Sequence, residues 1–158
     1  MRTFIAIVVL LLATGLASAC SDKSSQREDQ IRTSLNQFTA ALNSENYEAA
    51  YAKYSDWCRH RIPLEKFTET WKSVFGSAKL ELTDVEIVPQ TDDTSQTDDM
   101  FRVKTAFQLT RNGITKTWGS ESDPYIEFMV REDGEWHIHD KVCELLGPKP
   151  GATPSPTP

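Results

Sequence analysis

Residues 101–120, FRVKTAFQLTRNGITKTWGS, carry the clearest secondary-structure pattern in the chain. Apolar and polar residues alternate from Phe101 to Leu109, as they do in a strand with one buried face. Asn112-Gly113 is the strongest short signal for a two-residue hairpin turn. Ile114–Ser120, which contains Trp118, then returns as a second strand. The stretch predicts an antiparallel hairpin, and we expect the rest of a sheet to be built beside it.

Three further strands are predicted around this hairpin. Leu80 and Leu82 alternate with polar residues, and then Val85 and Ile87 continue in the opposite phase. The one extra residue between the two pairs predicts a β-bulge or a sharp bend. Downstream, an Asp133-Gly134 turn separates two strands, Tyr125–Arg131 and Trp136–Val142. In the first of these strands Ile126, Phe128 and Val130 share one face, and in the second we expect Trp136 and Ile138 to face the core.

Three helices are predicted before the sheet. Arg27–Leu42 has its apolar residues on a single helical stripe. A second helix is capped by Asn46 and ends at Asp56-Trp57-Cys58. A third begins at Pro63 and ends before Gly76. The three stripes are Ile31, Leu35, Phe38 and Leu42; Tyr47, Ala50, Tyr51 and Tyr54; and Leu64, Phe67, Trp71, Val74 and Phe75.

Helices followed by hairpin-linked strands make an α+β protein. Three segments of this order resemble the nuclear transport factor 2-like (cystatin-like) superfamily: NYEAAY at residues 46–51, PLEKF at 63–67 and EDGEWHI at 132–138. The resemblance extends over residues 27–146 and is greatest to exported lipoproteins of actinobacteria. It implies a cone, in which a strongly bent antiparallel sheet wraps around the first helix and leaves a pocket inside.

The first 19 residues are arranged as a secretory signal peptide. Arg2 supplies positive charge, and the apolar run Phe4–Leu12 that follows is too short to span a bilayer. Ala17-Ser18-Ala19 fits ordinary signal cleavage, which would give plain secretion. Small residues directly before Cys20, however, resemble a bacterial lipobox, in which the cysteine is acylated after cleavage. We therefore predict an exported chain with a lipidated Cys20.

The sequence divides into four segments. Residues 1–19 are the signal peptide, residues 20–26 a lipidated polar tether, residues 27–147 the folded domain, and residues 148–158 a disordered Pro/Thr-rich tail. Several acyl chains anchor a protein stably to a bilayer. The expected location is therefore outside the cytoplasm, at the outer face of the cytoplasmic membrane.

The net charge and the cysteine content limit the possible partners of the protein and the state of its thiols. The net charge is −6, and the absence of a basic cluster argues against nucleic-acid binding. With Cys20 acylated, Cys58 and Cys143 remain as an even pair in an oxidising compartment, where a disulfide is expected. Two unpaired buried thiols are the alternative. A redox-active pair is disfavoured because there is no C-x-x-C motif.

An aromatic pocket is expected between the helices and the sheet. The candidate lining residues are Phe38, Tyr51, Tyr54, Trp71, Phe107 and Trp118. Some members of the superfamily are isomerases, dehydratases or hydrolases that use an acid–base pair inside the cone. Here Tyr51, Tyr54, Asp56 and Glu127 are the residues that could supply such a pair. Glu127 faces opposite to Ile126 and Phe128, and the curl of the sheet decides whether that face lines the pocket or meets solvent. We expect solvent, and no catalytic residue is predicted.

No metal or cofactor site is predicted. His137 and His139 share one face of the last strand, which we expect to be the outer one. His60 lies in a different segment, and a tetrahedral metal site needs more ligands than two histidines. The acidic loop Asp92–Asp99 lacks the central glycine and closing glutamate of a calcium loop.

Two functions remain open at this point. The leading hypothesis is a non-enzymatic binding or interaction module of the cell envelope, with a small apolar ligand or an envelope protein as its partner. The alternative is an isomerase- or hydrolase-like enzyme with an acid–base pair in the cone. Binding requires apolar walls and a few oriented polar groups. An enzyme requires an inward carboxyl or histidine with a shifted pKa.

The tether is testable by fractionation. Because acylation of Cys20 would hold the protein at the membrane, Cys20→Ala should move it from the membrane pellet to the soluble fraction. Ser21→Ala, which keeps the cysteine, should pellet as wild type does. If Cys20→Ala still pellets with membranes, lipid tethering at this residue is wrong.

Overall fold

The computed structural model describes residues 19–88, 99–119, 125–140 and Cys143. The predicted C-terminal tail lies outside the described residues, as do the signal peptide up to residue 18 and the acidic loop up to residue 98. Within the described part the fold is α+β, as predicted, and helices pack on a five-stranded antiparallel sheet.

Four helices precede five strands. The helices are α1 (Ala19–Asn43), α2 (Tyr47–Tyr51), α3 (Asp56–Arg61) and α4 (Leu64–Phe75). The strands are β1 (Lys79–Ile87), β2 (Met100–Arg111), β3 (Ile114–Trp118), β4 (Tyr125–Glu132) and β5 (Glu135–His139). No helix in the described part is long and apolar enough to cross a membrane.

Strand β2 organises the sheet. One of its edges pairs with β1 along most of its length, and the other edge pairs first with β4 and then with β3. Strand β5 completes the order β1-β2-β4-β5. The predicted bulge is confirmed, since the register shifts between Leu82 and Asp84. It allows Leu80 and Val85 to be buried although they lie in opposite phases of the sequence.

The first helix is longer than predicted. It begins at Ala19 and so includes residues 20–26, which we expected as a polar spacer; no proline or glycine interrupts this stretch. Its far end is fixed to β1, because the Asn43 side chain donates to the Leu80 carbonyl (2.7 Å) and accepts from the Leu80 N–H (2.8 Å). The Ser34 hydroxyl donates to the Trp136 carbonyl (2.6 Å), which holds α1 across the last hairpin.

The prediction of a single second helix was wrong. The chain leaves the helix after α2 because residues 53–55 pair with β5. The Ser55 N–H donates to the Ile138 carbonyl (2.9 Å), and the Ile138 N–H donates to the Lys53 carbonyl (2.8 Å). The Ser55 hydroxyl then accepts from the Cys58 N–H and caps α3. The tertiary pairing overrides a helical pattern that continues through the break.

The ends of α4 lie close to the predicted positions. The helix begins at Leu64, one residue later than predicted, and Pro63 is its N-terminal capping residue. Gly76 ends the helix with a positive φ of 50°. Glycine adopts a positive φ with less steric strain than any other residue because it has no Cβ atom, which explains why the helix stops there.

The inward face of β4 is the one that carries Met129 and Glu127. Met129 is fully buried and pairs with Ile138 and Phe101, both core residues. Glu127 lies on the same face as Met129, whereas Phe128 pairs with Arg102 and His139 on the outer face. The strand carries apolar residues on both faces, so its apolar pattern by itself did not define the buried one.

The predicted disulfide is confirmed. Cys58 and Cys143 are bonded, with 5.3 Å between their Cα atoms and 85 residues between them in sequence. Both residues are buried. The bridge joins the start of α3 to the chain beyond β5.

Two measurements test the bridge. Denatured mature protein prepared without reductant should have no titratable thiol at Cys58 or Cys143, and adding reductant should reveal two. Replacing both cysteines by alanine should lower the free energy of unfolding by about 2–4 kcal/mol, because closing so long a loop restricts the unfolded chain. An unchanged stability in the double variant would contradict a structural role.

Candidate functional site

A cavity of about 380 Å³ lies between the helices and the concave face of the sheet. Its walls are mainly apolar and aromatic. The lining residues are Phe38, Tyr54, Ile62, Phe67, Thr70, Trp71, Val74, Phe75, Leu80, Phe107, Trp118, Tyr125, Glu127, Ile138 and Asp140. This set includes every candidate pocket residue from the sequence except Tyr51.

Tyr51 lies behind the cavity wall. Its hydroxyl is 2.7 Å from the Arg59 carbonyl oxygen and 2.8 Å from that of Ile62, so it binds the end of α3. Burial raises the pKa of this phenol, and the positive charge of Arg59 partly opposes the shift. Its ring packs edge-on against Phe67 (5.3 Å). Tyr51 therefore supports a lining residue from outside.

The aromatic walls hold one another in position. Phe38 makes edge contacts with Tyr54 (5.7 Å) and Trp71 (5.4 Å) between ring centroids. Trp71 stacks on Phe75 at 4.5 Å, because both lie on the apolar face of α4. Such edge and offset contacts are the preferred geometry of aromatic pairs. The cavity is thus framed by mutually packed rings.

The opening is marked by three lining residues that are also exposed. Val74 on α4 is 53% exposed, Trp118 at the end of β3 is 43% exposed, and Tyr125 at the start of β4 is 38% exposed. Large apolar side chains that remain exposed around a cavity are typical of an entrance.

A buried carboxyl lies inside this apolar space. Glu127 is only 5% exposed, and its Oε2 atom has no hydrogen-bond partner among the described residues. Burial, followed by the negative charge of Asp140, raises the pKa of Glu127 to about 8. At neutral pH the carboxyl is therefore mostly protonated, and it can donate a hydrogen bond as well as accept one.

Three further oxygen-bearing side chains lie near Glu127. The Tyr125 hydroxyl donates to Asp140 Oδ2 at 2.7 Å. Burial, this hydrogen bond and the charge of Asp140 raise the pKa of Tyr125. Tyr54 is buried, and its pKa is raised by burial first and then by the charges of Asp140, Glu127 and Tyr125. One end of the cavity thus combines two carboxyls and two protonated phenols.

Solved structures share this architecture at low sequence identity. A protein of unknown function from Mycobacterium tuberculosis, Rv3472, is 14% identical with a TM-score of 0.53, over 77% of this chain and 73% of that one. A proposed scytalone dehydratase from Novosphingobium aromaticivorans is 14% identical with a TM-score of 0.53, over 75% of this chain and 83% of that one. The chain has the nuclear transport factor 2-like fold.

A third structure, Bd1075 of Bdellovibrio bacteriovorus, is 15% identical with a TM-score of 0.51 over 75% of this chain. This chain spans only 41% of that protein's length. The sequence matches no protein-family model and no curated protein. Likeness at these identities establishes the nuclear transport factor 2-like fold alone.

The expectation that Glu127 faces solvent was wrong, and Tyr125 and Asp140 were not identified from the sequence. A signal for Glu127 was nevertheless present. The two-residue turn at Asp133-Gly134 pairs Glu132 with Glu135 and therefore Met129 with Ile138. An inward Ile138 requires an inward Met129, and Glu127, two residues earlier, must share that face of the nuclear transport factor 2-like sheet.

The other sequence candidates lie outside the cavity. Asp56 is exposed and forms an ion pair with Arg59. His139 packs its ring against Trp57 (4.6 Å), and its Nδ1 atom is 3.1 Å from the Ser55 hydroxyl oxygen. Across the described ranges no group of three or more His, Cys, Asp and Glu side chains is placed to bind a metal.

The pKa of Glu127 predicts a distinctive pH dependence. The ordinary pKa is 4.5, and the folded value is about 8. As pH rises between them, the unfolded chain loses a proton that the folded chain retains. The contribution of Glu127 to the free energy of unfolding should therefore fall by up to about 1.4 kcal/mol per pH unit. Glu127→Gln should remove this decline.

Urea unfolding at intervals from pH 5 to 8.5 checks the prediction. The exposed carboxyl Glu69 on α4 provides the control, since Glu69→Gln should give a curve parallel to that of wild type. Parallel curves for wild type and Glu127→Gln would mean that Glu127 is ionised in the folded protein.

Proposed function

We propose that this chain is a cell-envelope lipoprotein whose cavity binds a small, largely apolar molecule, with Glu127 as the polar group that orients it. The observation that carries the proposal is the unpartnered Oε2 atom of Glu127 inside an otherwise apolar cavity. Ligand sites of this kind are apolar spaces with a few oriented polar groups.

The end of the cavity around Glu127 favours a ligand that forms a hydrogen bond with this carboxyl. A buried polar atom without a partner destabilises a fold by about 1–3 kcal/mol. A ligand that hydrogen-bonds to Glu127 Oε2 would offset this loss. Asp140 already accepts from Tyr125, so Glu127 is the better placed of the two carboxyls to accept a new partner.

The volume and the apolar walls of the cavity favour a compact and hydrophobic ligand. The cavity volume of about 380 Å³ lies at the lower end of the range for small-molecule sites. Burying apolar ligand surface against rings such as Phe38, Trp71 and Phe107 provides the driving force, at about 25 cal/mol for each Å² removed from water.

The location outside the cytoplasm is supported by the sequence. Small residues lead into Cys20, and the Cys58–Cys143 disulfide is typical of an oxidising compartment. A lipid anchor at Cys20 would keep the cavity close to the membrane surface.

An enzyme is the second candidate. A carboxyl whose pKa is raised to about 8 in an apolar cavity is a common feature of acid–base catalysts. One neighbour in fold is named as a proposed scytalone dehydratase. In such an enzyme, Glu127 would transfer a proton and the Tyr125–Asp140 pair would hold a polar group of the substrate. Because Glu127 is mostly protonated at neutral pH, it would act better as an acid than as a base.

Binding and catalysis differ in what becomes of the bound molecule. A ligand that is recovered chemically unchanged after prolonged incubation supports the binding function. Conversion of the ligand that is abolished in Glu127→Gln would support the isomerase- or hydrolase-like alternative.

A neutral fluorescent probe tests the cavity. N-phenyl-1-naphthylamine is apolar and brightens when it leaves water, so its fluorescence should rise on binding to the mature protein. Thr70 lines the cavity on α4. Thr70→Phe should fill part of the space and weaken probe binding about tenfold or more.

Ser73 provides the matched control, because it is exposed on the same helix and is not among the lining residues. Ser73→Phe should bind the probe as wild type does. If Thr70→Phe and Ser73→Phe bind the probe equally, the probe lies elsewhere and the cavity is not the binding site.

A further inference from the structure

The ionisable side chains that line the cavity can carry only negative charge. Among the described residues they are Tyr54, Tyr125, Glu127 and Asp140, and none of them is basic. A ligand with a carboxylate or phosphate would enter this space with no cation to pair with, which is strongly unfavourable in an apolar environment. The lining therefore disfavours anionic amphiphiles such as fatty acids.

The same cavity is lined by aromatic rings. Trp71, Phe75 and Trp118 form part of its wall and opening. The described cation–π contacts within the chain use other rings, those of Tyr47, Trp57 and Phe101. A cation near an aromatic face is attracted to it by about 0.5–2 kcal/mol, and aromatic cages are the usual recognition site for quaternary ammonium groups.

We propose that the ligand of this cavity is an organic cation, an amine or quaternary ammonium group carried on a small apolar body. The positive group would lie between the aromatic walls and the Glu127 carboxyl, whose Oε2 atom is buried and unpartnered. This inference rests on the proposed function and specifies the class of ligand. The net charge of −6 would also attract cations toward the protein.

Binding of a cation must change the protonation of the site. Glu127 would ionise to pair with the bound charge and would release its proton to solvent. The groups near it are Tyr54 and Asp140 on neighbouring segments and Tyr125 on its own strand. The raised pKa values of both phenols keep them protonated throughout this change, so the released proton comes from Glu127.

Phenyltrimethylammonium is a suitable probe because its charge does not titrate. Calorimetric titration of the mature protein at pH 7, in two buffers of different ionisation enthalpy, should show release of close to one proton per molecule bound. The affinity should rise up to about tenfold per pH unit between pH 6 and 8 and then level off. tert-Butylbenzene has the same shape without the charge, and its affinity should not rise over this range.

Glu127→Gln supplies the second arm of the test. In this variant, phenyltrimethylammonium should bind at least tenfold more weakly at pH 8.5, without proton release. Cooperative unfolding of the variant in urea verifies that it is folded.

Two outcomes would overturn the inference, and they are distinguishable. If the neutral probe binds but phenyltrimethylammonium does not, or binds without proton release and no better than tert-butylbenzene at pH 8.5, the cavity takes neutral ligands and the proposed function stands. If neither the cationic nor the neutral probe binds, the proposed function fails together with this inference.

Discussion

The pairing of residues 53–55, between two short helices, with strand β5 determines much of this fold. Lys53 and Ser55 exchange backbone hydrogen bonds with Ile138 on β5, so the edge of the sheet is covered by the helical layer. The pairing buries Tyr54 against the core and places Ser55 where it caps α3. It thereby brings Cys58 to the place where the disulfide forms. The inner wall of the cavity and the covalent closure of the domain both depend on this contact.

Features that are encoded locally were predicted from the sequence. The bulge in β1 follows from a phase change between adjacent residue pairs, and the two turns follow from Asn-Gly and Asp-Gly pairs. The break between α2 and α3 is different in kind. No proline or glycine lies between Asn46 and Ile62, and Tyr47, Tyr51 and Tyr54 keep helical spacing throughout. The break arises because this segment pairs with a strand more than eighty residues away. The local sequence pattern contains no signal for that pairing.

The site was predictable in its walls and not in its chemistry. Phe38, Trp71 and Phe107 lie on regular apolar faces, so their inward orientation follows from periodicity. Strand β4 is apolar on both faces, and its buried side is chosen by register with β5. Glu127 was assigned to solvent because a charged residue between apolar neighbours ordinarily lies there. Only the pairing of Met129 with Ile138 reverses that assignment.

The position of Asp140 connects the disulfide to the chemistry of the cavity. The Cys143 N–H donates to the Asp140 carbonyl at 3.0 Å, and Cys143 is bonded to Cys58. The bridge thus restrains the segment that presents the Asp140 carboxyl to the Tyr125 hydroxyl. The negative charge of Asp140 in turn helps to keep Glu127 protonated. A covalent bond at the edge of the domain therefore helps to maintain the proton on a carboxyl inside it.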